Sequence, residues 1–275
     1  MLPLAKIESL NRCVPAIGLG CGRLVGGMNI KRSARMVETA LDLGIRYFDV
    51  APSYGMGTAE SVLGLVVGDA RDVVVATKYG VPRGRYSARA AFVRRFLKPA
   101  IDRFLPLKNA VRRSGAGRVS VPARRPRYDF SEAAVRSSLN RSLELLRRSS
   151  VDVLLAHEPH RDDLTRGLSD LFGAMRSESR IGCFGVGINE VSAPWIPWGQ
   201  VWQSGWPGEK ALAYPPGTTF AFHGVLRTVN PGVTGRSADL APRRLATAVA
   251  ARPGSIFLVS ASTPARLREL LAEFR

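Results

Sequence analysis

The chain of 275 residues is 45% hydrophobic and carries a formal net charge of +18, from 40 basic and 22 acidic residues. Its length is typical of one α/β barrel and short for two full enzyme domains, and its composition excludes disorder, collagen and coiled coil. Three cysteines, an odd number without a CxxC pair, exclude a disulfide scaffold and disfavour a structural zinc site.

Short apolar runs alternate with amphipathic stretches, as in β/α units that build a parallel sheet. Strands are predicted over 16–20, 45–50, 73–78, 151–157, 181–188, 200–204, 218–224 and 255–262. Helices are predicted over 33–43, 59–67, 90–96, 133–148, 163–175, 241–251 and 264–274. Eight strands in this order predict a single-domain (β/α)8 TIM barrel over 1–275, with its site at the carboxyl ends of the strands.

Most of the positive charge lies in one segment. Residues 81–128 contain 14 basic residues and one acid, so they carry +13 and the rest of the chain +5. We interpret this segment as a long basic insertion that follows the third predicted strand. It contains few aromatic residues on which bases could stack, so nucleic-acid binding is the less favoured interpretation of its charge.

Three successive predicted strands end in an ionisable residue, namely Asp49, Lys78 and His157. In a parallel barrel these ends meet at one mouth, where a buried charge needs a partner, so we expect Asp49 to pair with Lys78. Tyr54 lies five residues after Asp49 and can reach the same point. Because a lysinium favours the phenolate, we expect the pKa of Tyr54 to fall, which makes it a usable proton donor. His157 would add a hydrogen bond.

These residues lie in motifs that resemble the aldo-keto reductases. The similar stretches are GIRYFDVAPSYGMGTAESVLG (44–64), VVVATKYG (73–80), VDVLLAHEP (151–159), FGVG (184–187) and LVSASTPARLRELL (258–271). The resemblance implies a TIM barrel that reduces an aldehyde or ketone with NAD(P)H, or catalyses the reverse reaction, on a small carbonyl or alcohol substrate. It also implies a catalytic tetrad formed by Asp49, Tyr54, Lys78 and His157.

The resemblance implies a cofactor site as well. The residues it assigns to this site are Gly20, Cys21, Asp49, Gln203, Phe222, Ser260, Ser262, Thr263 and Arg266. In this assignment Gln203 contacts the nicotinamide amide and Phe222 stacks on its ring. Arg266 would form a forked ion pair with a 2′-phosphate, so NADP(H) is expected rather than NAD(H). No metal is expected.

The sequence departs from the family pattern in four places. A Ser-Asn pair after the fifth strand is here Gly187-Ile188, a lysine at the last strand end is Ser260, and an adenine-contacting asparagine is Leu270. Only 35 residues separate Ile188 from His223. We therefore expect the fifth and sixth β/α units to be shortened, with stunted helices or proline-rich loops.

Two other functions stay open on the residues alone. A metal-dependent TIM-barrel hydrolase would use His157, His160, His223 and Asp49 as ligands, with Lys78 repelling the ion. A catalytically weak barrel would instead bind a polyanion through 81–128.

No apolar run approaches the roughly 18 residues that a transmembrane helix needs, and the first residues lack a signal-peptide pattern, so a cytoplasmic protein is expected. The sequence predicts no oligomeric state.

Overall fold

The computed structural model describes residues 2–85, 128–189, 198–208, 216–226 and 240–274. Within them, eight parallel strands form a closed barrel, which confirms the predicted (β/α)8 fold. Most of the basic segment 81–128, including the predicted helix 90–96, lies outside the described residues. No helix in the described part of the chain is long and apolar enough to cross a membrane.

All eight predicted strands are present in the barrel. They follow an antiparallel hairpin of β1 (Leu4–Ile7) and β2 (Arg12–Pro15). The barrel strands are β3 (Ile17–Gly20), β4 (Tyr47–Asp49), β5 (Val74–Tyr79), β6 (Val151–His157), β7 (Ile181–Gly187), β8 (Val201–Gly205), β9 (Thr219–His223) and β10 (Ile256–Val259). Each strand pairs with the next in the chain, and β10 pairs with β3 to close the barrel.

Helices cover the outside of the barrel. They are α1 (Ile30–Asp42), α2 (Ala59–Val66), α3 (Glu132–Leu146), α4 (Arg166–Ser177), α5 (Ala241–Ala251) and α6 (Pro264–Leu270). The helix predicted from residue 163 begins three residues later because the Thr165 side chain caps it, accepting a hydrogen bond from the Leu168 N–H. The last helix ends at Leu270 and is followed by a short 3-10 turn.

The connections after β7 and β8, residues 188–200 and 206–218, are 13 residues long each. Their described parts contain no helix, and the remainder lies outside the described residues. Each connection is slightly longer than the minimum of about 10–12 residues for a crossover with its helix. The shortening of these two units stays a prediction.

The N-terminal hairpin was not predicted from the sequence, because each of its strands has only four residues. It lies at the amino ends of the barrel strands, where the Glu8 N–H donates to Thr219 Oγ1, on the first residue of β9, at 3.3 Å. Ile7 and Val14 of the hairpin are buried in the same hydrophobic cluster as Leu155 of the barrel interior. The barrel is thus closed at this end, and its open mouth lies at the carboxyl ends.

Candidate active site

A pocket of about 440 Å³ opens at the carboxyl ends of the barrel strands, where the sequence predicted a site. Its walls include all four residues of the predicted tetrad and several backbone segments after other strands. The lining residues used below are Gly20, Asp49, Tyr54, Lys78, His157, Gly187, Gln203, His223 and Ser260. Parallel strand order brings them together, because β4, β5 and β6 are consecutive neighbours in the barrel.

Asp49 and Lys78 form the expected ion pair. Both are almost fully buried, at 3% and 2% exposure, and Lys78 Nζ donates to Asp49 Oδ1 and to the Val50 carbonyl, the latter at 3.3 Å. Burial on its own lowers the pKa of Lys78, but the Asp49 carboxylate and Tyr54 raise it, and the net pKa lies above its ordinary value. Lys78 therefore stays a cation in the pocket.

Tyr54 lies on the 3-10 turn Tyr54–Gly57 that leads into α2. Its ring centroid is 4.9 Å from Lys78 Nζ, and its ring meets the His157 imidazole edge-on, with centroids 5.8 Å apart. The expected fall of its pKa is wrong, because burial raises the pKa of Tyr54 by more than the charge of Lys78 lowers it. The side chain is consequently a phenol near neutral pH, the form that can give up a proton.

His157 stands opposite Tyr54 as a neutral imidazole. Burial, the charge of Lys78 and the nearby His223 lower its pKa to about 3. Its Nδ1 is buried and has no hydrogen-bond partner among the described residues. Within the same residues, no three His, Cys, Asp or Glu side chains are grouped as metal ligands, and Asp49 is bonded to Lys78. The metal site suggested for His157, His160, His223 and Asp49 thus has no ligand cluster to support it.

Besides Asp49, three of the expected cofactor contacts, Gly20, Gln203 and Ser260, line the pocket. Gln203 is 3% exposed, and its Oε1 has no hydrogen-bond partner in the described part of the chain. Ser260 Oγ donates to the Gly20 carbonyl at 2.9 Å, and a Cβ on Gly20 would stand only 2.8 Å from that hydroxyl. The Ser260 hydroxyl thus occupies the space that a side chain at position 20 would need, and glycine allows this close approach.

Cys21 and Phe222 do not face the pocket, contrary to the expectation. Cys21 has no exposed surface, and its thiol donates to the Leu19 carbonyl at 3.6 Å. The Phe222 ring lies in the layer between strands and helices, with centroids 5.3 Å from Trp206 and 5.8 Å from Phe257. Side chains alternate between the two faces of a strand, so the next residue, His223, is the one that lines the pocket.

Ser262, Thr263 and Arg266 lie beside the pocket at the start of α6 and are not part of its wall. Thr263 caps the helix, its Oγ1 accepting from the Arg266 N–H at 3.2 Å. The Arg266 guanidinium pairs with Glu269 at 2.7 Å. Arg32 of α1, which was not among the predicted site residues, donates to the Ser262 carbonyl at 2.7 Å. It adds a second guanidinium to the corner formed by Ser262, Thr263 and Arg266.

Five further residues of the pocket wall lie outside the predicted tetrad and cofactor site, namely Arg23, Glu158, Gly187, Asn189 and His223, of which His223 was considered only as a metal ligand. Each follows or ends a barrel strand, so position after a strand end was the available signal. The Glu158 N–H donates to the Gly187 carbonyl at 2.8 Å, which continues the ladder between β6 and β7 into the mouth.

The chain is similar in sequence to known proteins. The model of the aldo/keto reductase family matches residues 16–192. The chain is 31% identical over 182 residues to a D-threo-aldose 1-dehydrogenase of a Pseudomonas species, covering 63% of this chain and 50% of that protein. It is 32% identical over 197 residues to a pyridoxal 4-dehydrogenase of Microbacterium luteolum, covering 64% and 53% respectively. The chain thus spans about half the length of the curated relatives it matches.

Solved structures share the fold at lower sequence identity. An aldo-keto reductase of Bacillus halodurans in its holo form is 16% identical with a TM-score of 0.66, covering 100% of this chain and 91% of that one. An aldo-keto reductase of Klebsiella pneumoniae in complex with NADPH is 18% identical with a TM-score of 0.62, covering 99% and 89%. At these identities the likeness establishes the barrel.

Proposed function

The chain belongs to the aldo/keto reductase family, and on this premise we propose that it is a nicotinamide-dependent oxidoreductase. It would reduce an aldehyde or ketone to an alcohol, or catalyse the reverse reaction, on a small molecule. The observation that carries the proposal is the buried Asp49–Lys78 pair with Tyr54 and His157 in contact around it at one pocket. Two of its relatives are named as dehydrogenases of an aldose and of pyridoxal, which agrees with this reaction class.

The pocket wall suits a nicotinamide group. The buried Gln203 Oε1 is a hydrogen-bond acceptor without a partner among the described residues. It can accept a hydrogen bond from the carboxamide N–H of a nicotinamide. Gly20 and Gly187 leave backbone at the wall, and a Cβ on Gly187 would stand 3.4 Å from Lys78 Cε. When bound, the reduced nicotinamide supplies a hydride to the carbonyl carbon.

Tyr54 is the proposed general acid. Its phenol gives a proton to the carbonyl oxygen as charge develops there, and the Lys78 cation beside the ring stabilises the phenolate that results. Asp49 holds Lys78 in place and balances its charge, which allows the cation to stay buried. His157 is neutral, so it can donate a hydrogen bond to the carbonyl oxygen without adding a second charge.

NADP(H) is proposed as the preferred cofactor. Arg266, Ser262 and Thr263 cluster at the start of α6, and Arg32 adds its charge to the same corner. Guanidinium groups bind phosphate in a forked geometry, so a 2′-phosphate would find partners here. Because Ser260 stands in place of a lysine, the preference is expected to be modest.

The test is turnover of benzaldehyde by the purified protein, followed by the loss of NADPH absorbance. Tyr54→Phe is expected to lower kcat by about 10²–10⁴-fold, the usual contribution of general acid catalysis, and to keep NADPH binding as measured by fluorescence. Tyr79→Phe is the matched control, because that hydroxyl is buried without a hydrogen-bond partner among the described residues and lies outside the pocket. Full turnover in Tyr54→Phe, or a wild-type protein that binds neither NADPH nor NADH, would overturn the proposal.

A further inference from the structure

A second ion pair, between the fully buried Glu60 and the partly exposed Arg83, lies behind the pocket wall and has no part in the chemistry proposed above. Glu60 of α2 has no exposed surface. Its Oε2 accepts a hydrogen bond from the Arg83 guanidinium at 2.5 Å, and its Oε1 accepts one from the Thr77 hydroxyl at 2.7 Å. Thr77 directly precedes Lys78 on β5, and Arg83 follows the end of that strand. The Glu60 carboxylate thus bonds both to β5, which carries Lys78, and to the segment that follows β5.

The residue after Arg83 lies against the loop that carries Tyr54. The Gly84 N–H donates to the Pro52 carbonyl at 3.2 Å. A Cβ on Gly84 would stand 2.6 Å from the Gly57 nitrogen and 2.7 Å from the Met56 carbonyl carbon, so only glycine allows this approach. In the turn that carries Tyr54, a Cβ on Gly57 would in the same way collide with the Gly84 carbonyl oxygen.

The Tyr54 loop adopts a backbone that needs support from its neighbours. Gly55, Met56 and Gly57 have φ angles of 56°, 59° and 85°, in the left-handed region. For a non-glycine residue such as Met56 this conformation costs on the order of 1–3 kcal/mol, and it persists only where surrounding contacts impose it. The Leu24 carbonyl lies against Gly55 on one side of the loop, and Gly84 lies against Met56 and Gly57 on another.

We propose that Glu60 and Arg83 are positioning residues for Tyr54. Their ion pair fixes Arg83, and Gly84 is thereby held against the loop, so that the Tyr54 hydroxyl keeps its place over Lys78. The hydrogen bond from Thr77 ties the same carboxylate to the strand that carries Lys78. Glu60 therefore helps to position both Lys78 and Tyr54. The consequence for catalysis rests on the proposed function, whereas the consequence for the placement of the ring rests on contacts alone.

The steric arm of the test is Gly84→Ala, whose added methyl group must push the Met56–Gly57 backbone aside. The matched control is Gly173→Ala, at an exposed helical glycine with nothing within 4 Å of the added Cβ. A displacement of about 1 Å at a reacting group can cost about 10²-fold in rate, so kcat with benzaldehyde should fall by about that factor in Gly84→Ala. KM and the NADPH dissociation constant should match those of the wild type, because the cofactor wall is untouched.

The chemical arm uses Arg83→Gln and Arg83→Lys. The glutamine variant should lower kcat in the same way as Gly84→Ala, and the lysine variant should restore part of it, because an ammonium can still pair with Glu60. Fluorine NMR of protein labelled with fluorotyrosine gives a readout that needs no activity. The Tyr54 resonance, assigned by its loss in Tyr54→Phe, should shift in Gly84→Ala and Arg83→Gln and stay in place in Gly173→Ala.

A Tyr54 resonance and a kcat that both match the wild type in Gly84→Ala would overturn the inference. If Arg83→Gln does not fold, the alanine variant decides the question alone. A wild-type protein without reductase activity would contradict the proposed function, and the fluorine spectra would still decide whether Gly84 and Arg83 place the ring. The two proposals therefore fail separately.

Discussion

The two sides of the pocket mouth are built in opposite ways. At the carboxyl ends of β4 and β5, Asp49 and Lys78 are almost wholly buried and bonded to each other. After β10, Ser262 and Thr263 are exposed, and the partly exposed Arg266 pairs with Glu269 along one helix turn. A surface pair of that kind is worth roughly 0–1 kcal/mol, so a ligand can displace it at little cost.

This difference separates fixed groups from adaptable ones. Groups that stabilise developing charge act best when they do not have to move during the reaction, and burial in a bonded cluster ensures that. Groups that select between related ligands need only be available when the ligand arrives. We therefore expect substitutions on the buried side to change stability and rate together, and those on the exposed side to change ligand preference alone.

Lys78→Ala should produce the largest effect, because it leaves the Asp49 carboxylate buried without its partner. Removing one member of a buried pair typically costs about 3–5 kcal/mol, measured here as the free energy of unfolding in urea. Arg141→Ala is the control, since its pair with Glu144 is exposed and a loss within about 0.5 kcal/mol is expected. Equal losses in the two variants would show that the Asp49–Lys78 pair is not buried in solution.

His157→Gln should remove an acid sensitivity from the fold. The pKa of His157 is about 3 in the folded protein against an ordinary 6.5, so below pH 6.5 the unfolded chain binds a proton that the folded chain does not. The wild type should thus lose stability as pH falls from about 6.5 to 3, at up to about 1.4 kcal/mol per unit of pKa difference. Urea unfolding across this range should give a flatter curve for His157→Gln, and equal slopes in the variant and the wild type would contradict the prediction.

Arg266→Ala should have the smallest effect, confined to cofactor choice. Loss of a charged hydrogen bond to the 2′-phosphate should weaken NADPH binding by about 1.5–3 kcal/mol and leave NADH binding unchanged. Titrations followed by NADPH and NADH fluorescence measure both affinities, and Arg268→Ala on the same helix is the control. Equal affinity of the wild type for NADPH and NADH would contradict the assignment of this corner.

The barrel and the buried half of the site could be predicted because their signals are local. Eight apolar runs with polar breaks fix the number and order of the strands, and a parallel barrel then brings residues that follow strand ends to one mouth. Asp49, Lys78 and His157 needed no further information. The same reasoning would have reached Glu158, Gly187 and Asn189 if strand ends had been examined without regard to residue type.

Features that depend on register or on competing energies could not be predicted in the same way. Phe222 and His223 differ by one position, and one position exchanges the two faces of a strand. The direction of the Tyr54 pKa depends on whether burial or the charge of Lys78 dominates, which requires the packed structure. The contact of Arg83 with Glu60 joins residues on either side of β5 that no sequence spacing relates.

The pairing of β3 with β10 has a consequence for how the protein is made. Ile17 is hydrogen-bonded in register with Phe257, so the first barrel strand must wait for the last one. Ribosomes release about 5–20 residues per second, so β3 keeps an open edge for on the order of ten seconds or more during synthesis. Unpaired strand edges recruit other strands. A nascent chain that has not yet emerged past β10 is therefore the form most in need of a chaperone, and slower growth of an expression host should raise the yield of native barrel.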